Sequence, residues 1–139
     1  MKVLFVAGFG PLVAPGQSEP AGRFYEETLG LAFQREGEYR HTNELSGVMH
    51  FALWPLQDAA ESCFQEREWP DHLPTPQAWI EFEVEDVATA TEELRGRGYP
   101  CLVETRTEPW GQIVSRLLGP EGLLVGLTYT PWLRDKPAD

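Results

Sequence analysis

Along the chain, stretches with a two-residue hydrophobic period alternate with stretches whose apolar residues recur at helical spacing. Residues 79–84 read WIEFEV. In a strand, Ile80, Phe82 and Val84 form one apolar face, and Trp79, Glu81 and Glu83 form the other. Asp86 then stands as a helix N-cap, Val87, Ala90, Thr91 and Leu94 repeat at helical spacing, and Gly98 is a stop. The first half has the same grammar. Val3 to Val13 is apolar and strand-like, Ser18 reads as an N-cap with Pro20 in the first turn, and Gly30 ends a stripe of Ala21, Phe24, Tyr25, Thr28 and Leu29. In both halves the stop glycine lies twelve positions after the cap. Short strand-like runs follow each helix, at 31–36, 38–44 and 47–54, then at 99–104, 112–118 and 123–130. The pattern predicts a duplicated strand–helix–strand–strand–strand unit. One copy covers 1–54 and the other 78–130, with a linker at 55–77 and a tail at 131–139. Asp58 to Phe64 in the linker has the makings of a short helix. WPDHLPTPQ, with three prolines, does not.

Composition narrows the setting. Forty-two per cent hydrophobic residues in a chain of 139 are enough for one packed core. Eleven basic against 22 acidic residues give a formal charge of −11, which argues against phosphate-backbone binding as a function and would attract cationic ligands. Cys63 and Cys101 are the only cysteines and form no CxxC, so reduced thiols and a cytoplasmic location are expected. MKVLFVAGFGPLV is interrupted by glycine and proline. It reads as a first strand with no signal peptide, and no apolar run reaches membrane-spanning length.

RFYEETLGL after the first strand, together with GPEGLLVGL before the last, resembles the vicinal oxygen chelate superfamily, which includes glyoxalase I, the extradiol dioxygenases and the fosfomycin and bleomycin resistance proteins. The resemblance implies an α+β fold in which two tandem βαβββ modules form curved mixed sheets around a cleft, the glyoxalase/bleomycin resistance fold. It also implies a homodimer. Metal-dependent members of the superfamily place His, Gln or Glu on four cleft strands. The matching positions here are Gly8, Phe51, Trp79 and Gly126, none of which carries a metal-binding side chain. A shift of one position recovers only His50. The resemblance is therefore to the metal-free, bleomycin-resistance-like members, with no metal and no cofactor expected.

If Trp79 faces the cleft, Glu81 shares its face and Glu83, nearer the strand end, is solvated. An aromatic ring and a carboxylate there suit a planar cation. Gln112 and Arg116 share one strand parity and are candidates for the same cleft, as are Phe51, Gly126 and Trp110. Arg116 also fits an ordinary surface ion pair, and the tryptophans also fit core anchors. His41, His50 and His72 show no ligand spacing, and Cys63 has no base nearby in sequence. The expected function is metal-free binding of a planar or cationic small molecule. The alternatives are a lyase, isomerase or dioxygenase using an atypical metal set or Glu81 as base, and a structural dimer with a filled cleft.

Overall fold

The computed structural model describes residues 1–134. One eight-stranded sheet runs through the molecule. Its strands are β1 (Val3–Val13), β2 (Gln34–Glu36), β3 (Tyr39–Thr42), β4 (Phe51–Pro55), β5 (Ala78–Val84), β6 (Val103–Thr107), β7 (Ile113–Leu118) and β8 (Leu124–Tyr129). Their order is β2-β3-β4-β1-β5-β8-β7-β6, so each half contributes the same four-strand arrangement and the halves meet at an antiparallel β1–β5 seam. Within each half the first strand pairs in parallel with the last, as β1–β4 and β5–β8. The mixed sheet and few helices match the expected α+β class.

Helix α1 (Ser18–Gly22) passes directly into a π-helical segment, Arg23–Thr28. Gln17, not Ser18, is the residue before the helix, and no side chain caps it. The 3.6-residue stripe read over residues 18–30 therefore drifts after one and a half turns. Gly30 does end the segment, in the left-handed region at φ 76°. The helix of the second half, α3 (Val87–Gly96), starts as expected, with Thr89 N–H donating to Asp86 Oδ1 at 2.9 Å. Burying Val84, Val87, Ala90 and Leu127 holds α3 on the outer face of the sheet.

Helix α2 (Leu56–Phe64) lies in the linker and packs on the opposite, inner face. Its Ala59 and Cys63 join Ala52, Trp54, Trp79 and Leu124 in the main buried cluster. The linker is thus part of the core. Cys63 is buried, and its thiol is pushed up to about 11, chiefly by burial, so it is a packing group and a poor nucleophile. Among the described residues no helix is long and apolar enough to cross a membrane.

Candidate functional site

The inner face of the sheet, α2 and the short C-terminal helix α4 (Pro131–Arg134) enclose a cleft of about 550 Å³. Strand alternation decides what enters it. On β5, Trp79, Glu81 and Glu83 point inward, while Ile80 and Phe82 are half-buried on the outer face. The inward residues are the better buried set: Trp79 is 3 % exposed and Glu83 0 %.

A continuous line of hydrogen bonds crosses the cleft. Trp110 Nε1 donates to Gln112 Oε1 at 3.1 Å, and Gln112 Nε2 donates to Glu81 Oε1 at 3.0 Å and to Thr130 Oγ1 at 2.9 Å. Glu81 Oε2 accepts from Arg116 Nη1 at 2.9 Å. Arg116 Nε donates to Ser62 Oγ at 2.8 Å, and Ser62 donates onward to Glu108 at 2.7 Å. Arg116 is 1 % exposed and lies 4.7 Å from the Trp54 ring centroid. The line ties β5, β7 and the β6–β7 connection to α2, which fixes the helix over the sheet. In place of the surface ion pair allowed by the sequence, Arg116 makes a buried one. It also supplies the planar cation, stacked on tryptophan and bonded to Glu81, that was expected of a ligand.

Beside this line sits a second cluster. His50 Nδ1 is 2.5 Å from Asn43 Oδ1, and His50 Nε2 is 2.5 Å from the Tyr39 hydroxyl. With the Asn43 oxygen accepting from Nδ1–H, Nε2 is left to accept from Tyr39. His41 stacks on Tyr39 with centroids 4.9 Å apart. Burial holds the His50 imidazole below its ordinary range, against the opposing pull of Glu81, so it is neutral near pH 7. Burial and the neighbouring Glu81 charge raise the Tyr39 phenol, which remains a donor.

Glu83 is not solvated. Its carboxylate accepts from Thr128 Oγ1 at 2.7 Å, Thr130 N–H at 2.5 Å and Arg134 Nε at 2.8 Å. Arg134 also lies over the Tyr129 ring at 4.4 Å. This buried anchor pins α4 and so places Trp132, which is 47 % exposed, at the cleft mouth. Trp110, 51 % exposed, also lines the cleft.

Of the residues singled out from sequence, Trp79, Glu81, Gln112, Arg116 and Trp110 line the same cleft. Gly126 backs it: a Cβ there would meet Glu81 Cγ at 3.0 Å and Arg116 Nη1 at 3.1 Å. Phe51 is misplaced by one residue. It packs on the outer face against Phe33 and Tyr25, and its neighbour His50 takes the inner side, because a one-residue shift in a strand reverses every side chain. The four positions matched to metal ligands do not share a row. Gly8 and Gly126 each pair with Glu81, whereas Trp79 pairs with Gly10 and Leu124. Gly8 is also not an empty slot, since the Trp79 ring fills its space: a Cβ there would be 2.8 Å from two ring carbons. His50 and Glu81 are the metal-capable side chains near that row, and both are already engaged. Among the described residues, no three His, Cys, Asp or Glu side chains gather as a metal site. The residues present do not fit the divalent site of metal-dependent relatives.

Tyr39, Trp54, Ser62, Glu108 and Trp132 also line the cleft and were not found from sequence. The parity shared by Ala52 and Trp54 with His50 is the one signal that would have found Trp54. Ser62 and Glu108 come from segments whose approach to the cleft is set by the tertiary fold.

The chain matches the family model Glyoxalase, described as the Glyoxalase/Bleomycin resistance protein/Dioxygenase superfamily, over residues 12–127. No curated protein matches it significantly. Among solved structures it is similar to a glyoxalase/bleomycin resistance protein/dioxygenase superfamily member from Vibrio splendidus 12B01, with 14 % identity, TM-score 0.55, and 89 % of this chain and 98 % of that chain covered. A variant of Streptomyces coelicolor methylmalonyl-CoA epimerase in complex with 2-nitronate-propionyl-CoA aligns at 16 % identity and TM-score 0.55, covering 94 % and 99 % of the two chains. A structure named NAD-dependent benzaldehyde dehydrogenase from Legionella pneumophila aligns at 9 % identity and TM-score 0.54, covering 87 % and 96 %. At these identities the likenesses show the fold.

Proposed function

The chain belongs to the glyoxalase/bleomycin resistance protein/dioxygenase superfamily, and within it we propose that this protein binds a planar, cationic small molecule in its cleft without a metal ion. The observation that carries this is the mouth: two half-exposed tryptophans, Trp110 and Trp132, border a cleft whose charged groups are mainly acidic. Five carboxylates, those of Glu36, Asp58, Glu61, Glu81 and Glu108, face two guanidinium groups, those of Arg106 and Arg116. An exposed aromatic face beside excess negative charge favours a stacked cation. Because Arg116 already occupies the deep position over Trp54, the ligand's charge belongs at the mouth and not against Trp79 and Glu81.

The test is titration with 1-methylquinolinium, followed by tryptophan fluorescence. Trp110→Ala is expected to weaken binding by ~0.5–2 kcal/mol, and added salt to weaken it further. Equal binding of uncharged quinoline at neutral pH would remove the cationic reading, and a full equivalent of a divalent metal in purified, unchelated protein would remove the metal-free one.

A second reading, a proton-transfer enzyme such as an isomerase or lyase, is favoured by the Asn43–His50–Tyr39 arrangement. In it a neutral imidazole, oriented at one nitrogen, is hydrogen-bonded at the other to a hydroxyl. In that case His50, not the ion-paired Glu81, is the base. Recovery of bound ligand unchanged or converted separates the two readings.

Self-association is also proposed. On the outer face, Val3, Val6 and Phe9 of β1 stand opposite Val84, Phe82 and Ile80 of β5, and all three are substantially exposed although β1 is central in the sheet. A second copy covering this strip is expected to bury more than about 1,200 Å² in total. A purely monomeric species by light scattering at micromolar concentration would contradict it.

A further inference from the structure

Four buried side-chain atoms lack any hydrogen-bond partner among the described residues: His41 Nε2, Trp79 Nε1, Arg106 Nε and Arg116 Nη2. All four belong to side chains that line the one cleft, and two of them have a carboxylate close by: Arg106 Nε lies 3.4 Å from Glu108 Oε1 and His41 Nε2 3.8 Å from Glu36 Oε1, which leaves Trp79 Nε1 and Arg116 Nη2 without any counterpart among the described residues. Elsewhere the buried polar groups are matched with care, as the three partners of Glu83 and the Thr91–Ser115 hydroxyl pair show. Unpartnered buried groups are rare in folded proteins and each calls for a cause. Their concentration in one cavity places the cause there.

Three of the four, all but the His41 nitrogen, share a chemistry. The indole and guanidinium nitrogens can only donate, so what is missing is an acceptor. Arg116 is the strongest of them, being charged and 1 % exposed. Its Nη1 and Nε are committed to Glu81 and Ser62, and Nη2 alone is left. The acceptor's charge is also constrained. Arg116 is already bonded to the Glu81 carboxylate and is linked through Ser62 to that of Glu108. A third carboxylate there would add like charge to a buried acidic wall. An uncharged oxygen satisfies the donor without that repulsion.

We propose that the cleft ligand carries an uncharged carbonyl oxygen that is received by Arg116 Nη2, at the end opposite the planar cation held at the mouth. This rests on the cleft being the ligand site. It adds an acceptor requirement that stacking and net charge do not imply.

Four probes built on one pyridine ring test it by calorimetry at millimolar concentration: 1-methylnicotinamide (cation with amide carbonyl), 1,3-dimethylpyridinium (cation, no carbonyl), nicotinamide (carbonyl, uncharged) and 1-methylnicotinate (cation with carboxylate). 1-Methylnicotinamide is expected to bind about 2- to 10-fold more tightly than 1,3-dimethylpyridinium, as one hydrogen bond to a buried donor allows. It is also expected to bind more tightly than 1-methylnicotinate. Arg116→Lys keeps a positive charge for Glu81 but gathers its donors on one nitrogen and loses the planar fork that carries Nη2, and is expected to erase the amide preference. Equal affinities for the first two probes would mean that water serves these donors, overturning the inference while leaving the cation reading in place. A preference that survives in Arg116→Lys overturns the assignment to Arg116, and tighter binding of the carboxylate overturns the uncharged acceptor. If nicotinamide matches 1-methylnicotinamide, the acceptor stands and the cation reading fails. If no probe binds, both fail. Should Arg116→Lys not fold, the wild-type series decides alone.

Discussion

Arg116→Ala is expected to destabilise the protein by about 3–5 kcal/mol, the range found when one partner of a buried ion pair is removed. Three losses coincide at this side chain. The buried Glu81 carboxylate loses its counter-ion, Ser62 loses the donor that orients its hydroxyl toward Glu108, and Trp54 loses the cation over its ring. Gln112 still donates to Glu81, but a neutral amide does not offset a buried charge. In a chain of this size the shift in Tm is on the order of 10 °C. A companion variant separates the pair's own worth from the cost of breaking it. Replacing Glu81 and Arg116 together by leucine removes both charges, and buried pairs so replaced are often neutral or stabilising. The double variant is therefore expected to be more stable than Arg116→Ala. A loss below about 1 kcal/mol for Arg116→Ala, the range of exposed pairs, would show that water reaches Glu81 and that the cleft floor is open.

The duplicated unit was legible because it rests on local signals: period-two alternation in β5, the Asp86 cap and the left-handed stops at Gly30 and Gly98. The inward face of β5 was legible for the same reason. What sequence missed depends on register or on distant partners. Phe51 and His50 are adjacent, so a one-place error exchanged the outer face for the cleft. Glu83 sits at a strand end, where solvation is the default, yet Arg134, fifty-one residues away, arrives to pair it. Arg116 meets Glu81 across thirty-five residues and Ser62 across fifty-four, and no local pattern encodes such contacts. The helix at residues 18–28 was placed correctly but not as a π-helical continuation, since one residue more per turn leaves the apolar composition unchanged.

Trp79→Ala is expected to cost about 3–5 kcal/mol of stability, as large aromatic truncations in cores do. Its ring was a candidate for stacking a ligand, but the structure encloses it. Trp54 meets it edge to face at 5.8 Å and 74°, and His50 lies 6.4 Å away. Any loss of ligand affinity in this variant will therefore accompany a loss of stability, whereas Trp110→Ala is expected to reduce binding with little change in Tm. The cavity cannot close from the β1 side, because the residue beneath the ring is Gly8, held between β4 and β5 by backbone hydrogen bonds. That makes Gly8 the reporter. With Trp79 present, Gly8→Ala forces a methyl to 2.8 Å from the ring and is expected to destabilise by about 1–3 kcal/mol through overpacking. With Trp79 replaced by alanine, the same methyl enters the vacated space, and the nearest remaining contact is the His50 carbonyl oxygen at 3.3 Å. The cost of Gly8→Ala should then shrink toward zero, so the double variant will be more stable than the sum of the two singles predicts. Chemical denaturation of the four proteins measures that coupling directly. Strict additivity would mean that the ring does not lie over Gly8, and that the glycine position is free for a ligand after all.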